Sequence, residues 1–388
     1  MKQFHDDILP AGVNDHVHTL FEGQYAVPDG MTYNSYVILD EKSAVLDTVD
    51  FLFGDEWLAN VAARLDGRAP DFLVVHHMEP DHSANIARFL DAYPSARLVG
   101  NAKTLAMARQ FFSRDFSERA LVVKDGDCLE LGRHSLRFIC APMVHWPEVM
   151  VSYDEAAGIL FSADAFGTFG ADDVAHPKPW ADEARRYYIG IVGKFGAAVQ
   201  ALLKKAAALD IRMICPLHGP VLQADIPQCV NLYNVWSSYA PETDGVLIAY
   251  ASVYGNTERA ARLLERQLRE SGCAAVQVMN LIECDMSEAV AQSFRYSRTV
   301  FAATTYNASV FPAMSRFLEI LAEHNFSNRT VGFIENGSWA PAAAKVMKER
   351  LAGCKNLTVL EPVVTVKSAL DDASEAQVEA LCRALLLR

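Results

Sequence analysis

The sequence predicts an α/β protein of two domains, an α+β sandwich followed by an open doubly wound sheet. Three observations predict it. Residues 1 to about 240 mix short apolar runs, hairpin signals and helical spacings without regular alternation. From residue 246 onward, strand and helix patterns alternate through five β/α units. Between the two regions, Pro241-Glu242-Thr243-Asp244-Gly245 interrupts the helical pattern, so the domains are expected at residues 1–242 and 245–388.

Composition narrows the function. The chain has 388 residues, 51% of them hydrophobic, enough for two or three cored domains. A net charge of −13 argues against a nucleic-acid or anionic-membrane surface. The polar start, residues 1–7, is not expected to be a signal peptide, and no apolar run reaches the length of a membrane span. The eight cysteines, Cys128, Cys140, Cys215, Cys229, Cys273, Cys284, Cys354 and Cys382, form no C-x-x-C pair. That argues against zinc ribbons, iron–sulfur clusters and a disulfide framework, and fits a cytoplasmic protein.

In the first domain, residues 33–39 and 43–46 read as a hairpin around Asp40-Glu41-Lys42, and 51–65 has helical spacing. Residues 72–75 form a buried strand, 83–90 a helix, 96–99 a strand and 103–112 a helix. Strands are expected at 121–123, 135–140, 149–153 and 158–162, one helix over 181–209, and a last strand at 213–216. Tyr233, Trp236 and Tyr239 give a packing face to a helix end.

The strand at 72–75 feeds His76-His77-Met78-Glu79-Pro80-Asp81-His82. Such a loop also suits a solvated connector. Two imidazoles and two carboxylates straight after a buried strand favour metal binding instead. On an extended backbone His77, Glu79 and Asp81 face one side, while His82 is aimed elsewhere by a turn. His145, Asp164 and His218 each follow another strand. Together these are four imidazoles and three carboxylates, more than one metal needs. With a bridging hydroxide, three carboxylates balance two divalent ions, and Asp164 is the natural bridge because a carboxylate has two donor oxygens. Mixed imidazole and carboxylate ligation suits iron or manganese and tolerates zinc; Glu79 tilts it towards iron. Of the remaining histidines, His5, His16, His18, His134 and His324 read as structural or surface residues. His76 is out of phase and is expected to point inward, and His176 lies in His176-Pro177-Lys178-Pro179, a candidate cover for the site. Tyr187 or Tyr188 is a candidate hydrogen-bond donor to it, with packing the plainer role.

In the second domain, strands are expected at 246–250, 275–279, 299–303, 330–334 and 357–360. Helices are expected at 257–270, 287–293, 312–324, 341–351 and 375–386. The first turn, Ser252-Val253-Tyr254-Gly255-Asn256-Thr257, is neither G-x-G-x-x-G nor a P-loop. It offers hydroxyls, an amide and backbone N–H groups at a helix start, which suits one phosphate monoester. Thr304-Thr305-Tyr306-Asn307 and Asn336-Gly337-Ser338-Trp339 follow later strands on the same edge, where ligands bind such sheets. Tyr306 and Trp339 can sandwich a flat ring, so FMN is the ligand expected.

With His77-x-Glu79-x-Asp81-His82, His145, Asp164 and His218 ahead of a flavodoxin-like half, the chain resembles a flavodiiron protein. The first part resembles a metallo-β-lactamase-like αββα sandwich and the second a flavodoxin-like five-stranded parallel sheet; the related hydrolases carry H-x-H-x-D-H instead. The resemblance implies two Fe ions, with His77, Glu79 and His145 on one, Asp81, His82 and His218 on the other, and Asp164 between them. It implies FMN held by Ser252 to Thr257, Thr304 to Asn307 and Asn336 to Trp339. It also implies reduction of O2 to water, NO to N2O, or both. Reduced FMN and a diferrous pair each hold two electrons, the four that O2 needs; two NO need two. A head-to-tail homodimer or dimer of dimers, and an external donor such as a rubredoxin, are implied as well. Two positions depart from the family's pattern: Glu22, where many relatives have His, and Tyr254, where short flavodoxins often have Thr. The competing readings are a zinc hydrolase with an appended flavodoxin module and a pure electron carrier.

Overall fold

The computed structural model describes residues 4–175 and 179–387. The chain divides into two compact units, Met1–Asn234 and Val235–Arg388.

The first unit is built on two sheets. One has the order β1 (Ile8–Pro10), β2 (Tyr36–Ile38), β3 (Ala44–Leu46), β4 (Phe72–Val74), β5 (Arg97–Gly100) and β6 (Ala120–Val122). It begins with antiparallel pairings and becomes parallel from β3 onward. The other runs β7 (Cys128–Glu130), β8 (Ser135–Cys140), β9 (Met150–Asp154), β10 (Ile159–Phe161) and β11 (Met213–Cys215), with only the last pairing parallel. Their inner faces share one core, in which Tyr36, Ile38, Leu46, Val74 and Val99 of the first sheet meet Leu136, Phe138, Met150 and Phe161 of the second. Helix Gly54–Leu65 buries Trp57 against Phe89 of helix Ile86–Ala92, so β3 and β4 are buried on every residue. That explains why they read as continuous apolar runs rather than as alternating ones.

The single helix expected over 181–209 is broken. Helix Trp180–Tyr187 runs into a widened π-helical turn, Tyr188–Val192, then a short tight turn, then helix Gly196–Ala206. The reason lies at Gly190. Its carbonyl accepts a 2.9 Å bond from the Tyr25 hydroxyl, and a Cβ there would lie 2.7 Å from the Tyr25 ring. The helix expected at 83–90 is likewise split, into one turn at Pro80–Ser83 and the helix Ile86–Ala92.

The second unit is a sheet of order β13 (Val276–Asn280), β12 (Thr243–Ala251), β14 (Tyr296–Tyr306), β15 (Thr330–Asn336) and β16 (Thr358–Val359), with all these pairings parallel. The fifth strand, expected as one piece at 357–360, is in two: β17 (Val364–Val366) also pairs with β15. The strand order places β12 beside β14, so the loops after these two strands flank the point where the winding direction reverses. Helix Asn256–Glu270 packs Ala260, Ala261, Leu264 and Leu268 against the sheet with helix Asp372–Leu386.

Candidate metal centre and cofactor edge

His77 and Glu79 leave β4 on an extended segment, but Pro80 starts a helical turn that carries Asp81 and His82 together. The seven candidate ligands therefore fall into two groups. His77, Glu79, His145 and Asp164 offer donor atoms within 4.8 Å of one another, as do Asp81, His82 and His218. The expectation that Asp81 would share the side of His77 and Glu79 fails for this reason: the extended backbone ends at Glu79.

Asp164 joins the groups. Its Oδ2 lies 3.0 Å from His145 Nε2 and 3.3 Å from His77 Nε2. Its Oδ1 lies 3.3 Å from His82 Nε2 and 3.7 Å from His218 Nε2. Glu79 Oε2 sits 3.2 Å from His77 Nε2 and 3.0 Å from His145 Nε2. Asp81 Oδ2 sits 3.3 Å from Nε2 of both His82 and His218.

Two observations test whether metal fits. His82 Nε2 and His218 Nε2 face each other at 2.9 Å, and His77 Nε2 and His145 Nε2 at 3.4 Å. Ring nitrogens converging in this way share a proton or flank a cation. Both oxygens of Asp81 and Oδ1 of Asp164 are buried without a hydrogen-bond partner among the described residues. Buried carboxylate oxygens are costly unless something positive meets them. Burial alone would raise the Asp164 carboxyl, but the His77 charge and the close approach of the His145, His77 and His82 ring nitrogens hold it well below the usual range. Burial would lower His145, but bonds to Asp164 and Glu79 push it up to about 9. Asp164 and Glu79 thus hold a proton on His145 that a cation would displace. The donor set fits two divalent ions.

The supporting contacts come from residues the sequence reading did not single out. His77 Nδ1 lies 2.8 Å from Glu148 Oε1, which also accepts the Met78 amide at 2.8 Å. His218 Nδ1 donates to the Thr32 carbonyl at 2.8 Å. Both bonds fix which nitrogen faces the centre. Asp47 accepts the His76 amide at 2.7 Å and its Nδ1 at 2.5 Å, while His76 Nε2 meets Ser152 Oγ at 2.8 Å. His76 therefore points inward and pins the loop. The signal for Glu148 was its place three residues after His145, and for Asp47 its place directly after the buried run Ala44-Val45-Leu46. Glu148→Gln is expected to weaken metal retention about tenfold or more, read as metal content after dialysis.

Phe21, Tyr33 and Tyr187 close around His218, with ring centroids 5.3, 5.8 and 5.5 Å away. The Tyr187 hydroxyl is buried without a hydrogen-bond partner among the described residues. Burial and the charges of Asp164, Asp81 and Glu79 raise it well above the usual range, so it stays protonated. Glu22 sits in the turn between Leu20–Phe21 and Tyr25–Ala26. The residue is exposed, yet desolvation of its carboxyl and the Glu79 charge raise its pKa to about 7. The candidate cover at His176 lies outside the described residues.

In the second unit, Gly255 precedes helix Asn256–Glu270 with φ of 86°, and a Cβ there would meet nothing within 4 Å. The turn opens onto space, and the first N–H groups of a helix have no partner within it. Ser252 Oγ accepts the Gly255 amide at 3.1 Å, and the Thr257 and Thr304 hydroxyls meet at 3.0 Å. Thr305 Oγ1 instead accepts the amides of Ala342 and Ala343, at 3.0 and 3.2 Å. Asn336 donates to the Ser368 carbonyl at 3.1 Å, and the Ser368 hydroxyl donates to that of Ser338 at 2.8 Å. Tyr254 is 91% exposed, Trp339 92% and Tyr306 46%. Aromatic faces this open on a sheet edge, beside an amide turn at a helix start, fit a flat phosphorylated ring system. Val253, Asn256, Asn307 and Gly337 complete these loops.

Comparison with known proteins agrees with both halves. Residues 31–219 match the ODP family beta lactamase model and residues 248–381 the flavodoxin model. A putative diflavin flavoprotein A 1 from a Nostoc species is 31% identical over 82% of this chain, which spans only 55% of that protein. A nitric oxide reductase from Moorella thermoacetica is 29% identical, covering 93% of this chain and 92% of its own length. The solved rubredoxin oxygen:oxidoreductase from Desulfovibrio gigas superposes with a TM-score of 0.90 at 26% identity, over 99% of this chain and 98% of the other.

Proposed function

The chain belongs to the flavodiiron family, and on that premise we propose that it is a diiron flavoprotein oxidoreductase reducing O2 to water, NO to N2O, or both. The observation that carries this reading is the pair of ligand groups joined through the two oxygens of Asp164, in a chain that also has a flavodoxin unit. The zinc-hydrolase alternative is disfavoured by Glu79 at the position where hydrolases carry His, and by that same unit.

His77, Glu79 and His145 would hold one iron, Asp81, His82 and His218 the other, and Asp164 both. Ser252 to Thr257 would hold the FMN phosphate, with Thr304 to Asn307 and Asn336 to Trp339 around the ring. When bound, iron supplies substrate binding and one-electron redox chemistry, and FMN supplies two-electron storage. The protein does the rest. Glu148 and the Thr32 carbonyl hold two imidazoles in one tautomer. Phe21, Tyr33 and Tyr187 keep bulk water from the His218 side. The Tyr187 hydroxyl keeps a proton beside the carboxylates, where reduction of either gas consumes protons. Tyr187→Phe preserves volume and is expected to leave metal content and Tm unchanged while lowering turnover about tenfold. Steady-state gas consumption, with metal analysis on the same sample, checks this.

The chain would work as a head-to-tail homodimer or dimer of dimers. Apolar side chains are exposed in the first unit, at Leu20, Phe51 and Leu52, and in the candidate cofactor loops of the second, at Val253, Tyr254 and Trp339. Electrons would come from an external donor such as a rubredoxin, as the name of the Desulfovibrio gigas relative indicates for that protein. No described helix is long and apolar enough to cross a membrane. The eight cysteines are unpaired, which suits a cytoplasmic setting.

The test is anaerobic stopped-flow of the reduced, iron-assayed protein against O2 and against NO, following flavin and ferric absorbance together. Rapid oxidation, with N2O from NO or no peroxide from O2, is expected. Slow flavin-only oxidation with peroxide release, or zinc in place of iron, would overturn the proposal.

A further inference from the structure

A second, smaller ligand constellation lies outside the seven-residue centre. His5 and Asp7 precede β1 of the first sheet, and His134 sits in the turn between β7 and β8 of the second. One donor atom from each lies within 4.8 Å of the others.

His134 is buried and already oriented as a ligand would be. Its Nδ1 lies 2.5 Å from Asp154 Oδ2, and its backbone amide donates to Asp40 Oδ2 at 2.6 Å. With the proton on Nδ1, the lone pair is on Nε2, which looks towards Asp7 Oδ2 at 3.8 Å. A carboxylate behind an imidazole in this way fixes the tautomer and strengthens the ring as a donor. The His5 ring stands edge-on to His134 with centroids 5.7 Å apart.

A cation occupies the space between them. The Arg133 guanidinium bonds Asp7 Oδ2 and lies 3.4 Å from His134 Nε2. Arg133 is 63% exposed, and ion pairs of that exposure contribute little. Arg68, the other guanidinium nearby, bonds only the carbonyl of Asp40 in this cluster. Asp7, Asp40 and Asp154 outnumber these two guanidiniums, so the cluster keeps a net negative charge that suits a cation.

We propose that His5, Asp7 and His134 form a zinc site, separate from the seven-ligand centre, with Arg133 as its displaceable occupant. Two imidazoles and one carboxylate are a zinc-type donor set, and water completes the coordination. His5 Nδ1 accepts the Asp7 amide at 3.2 Å, and metal ligation through Nδ1 replaces that long bond. A metal here ties the segment before β1 to the β7–β8 turn, linking the edges of the two sheets.

The experiment uses the full chain loaded with iron and FMN. Equilibrium dialysis against Zn2+, with metal analysis, measures uptake beyond iron; Co2+ absorption reports the ligand set. One additional Zn2+ per chain and a higher Tm are expected. His5→Ala and Asp7→Ala should both abolish that uptake with iron and FMN content unchanged. Arg133→Ala should tighten it about tenfold, because it removes the competing cation. His134→Gln is a further variant, valid where FMN and iron content report a native fold. No uptake by the unaltered chain, uptake only after Arg133→Ala, or equal uptake by His5→Ala would overturn the proposal.

Discussion

Asp164→Ala is expected to abolish the two-metal centre while leaving the chain folded. Asp164 is the only one of the seven candidate ligands whose two oxygens address different groups, Oδ2 the His77 and His145 side and Oδ1 the His82 and His218 side. Removing it deletes a donor from both and leaves four buried imidazoles without their shared counter-charge. The backbone around it is held independently: the Gly167 amide bonds the Asp164 carbonyl at 3.1 Å and the Ser162 hydroxyl bonds the Ala165 carbonyl at 2.6 Å. The loop should therefore survive the substitution. Metal content should fall to one ion or none per chain, and gas turnover by about a thousandfold, the equivalent of about 4 kcal/mol of lost stabilisation. Metal analysis, circular dichroism and gas consumption on one sample check this. Retention of both metals with near-normal turnover would show that Asp164 does not bridge them.

The second large effect is expected at the other unit. The double variant Tyr254→Ala, Trp339→Ala should weaken FMN binding about a hundredfold or more, since stacking on an aromatic face contributes about 1–3 kcal/mol per ring. Both side chains are almost fully exposed and pack against little of the protein, so their loss should leave Tm of the FMN-free chain unchanged. Loss of flavin at unchanged stability separates a binding role from a packing role. Fluorescence titration of the FMN-free protein is the measurement. Unchanged affinity would remove both aromatics from the cofactor site. Gly255→Ala, for comparison, should cost less, because its Cβ would meet no atom and only its φ of 86° opposes the change.

Much of this molecule is legible in the chain. Alternating strands and helices after residue 246 can only close as a parallel sheet with right-handed crossovers, and the strand order observed is one of the common solutions. The loop His77 to His82 declares itself because ligands that follow a buried strand by a few residues cannot be far from its end. His145, Asp164 and His218 sit after β8, β10 and β11 for the same reason. Where the sequence reading failed, competition from distant residues is responsible. Helical periodicity over 181–209 is real, but the Tyr25 hydroxyl, remote in sequence, takes the Gly190 carbonyl and widens the turn.

The sequence by itself determined which residue types reach the end of which strand, because burial period and turn chemistry are local and leave a one-dimensional trace. It thereby determined the expectation of two domains, the seven candidate ligands and the candidate cofactor loops. Only the tertiary structure decided how those ligands divide, since Pro80 turns Asp81 away from Glu79 and towards His218, more than a hundred residues along the chain. It also decided which partners hold them. Glu148 behind His77, Thr32 behind His218 and Asp47 beneath His76 are ordinary residues in the sequence, and become determinants of the site only when the sheets bring their polar atoms within hydrogen-bond distance. Hydrogen bonds select by distance and angle in space, and spacing along the chain does not encode either.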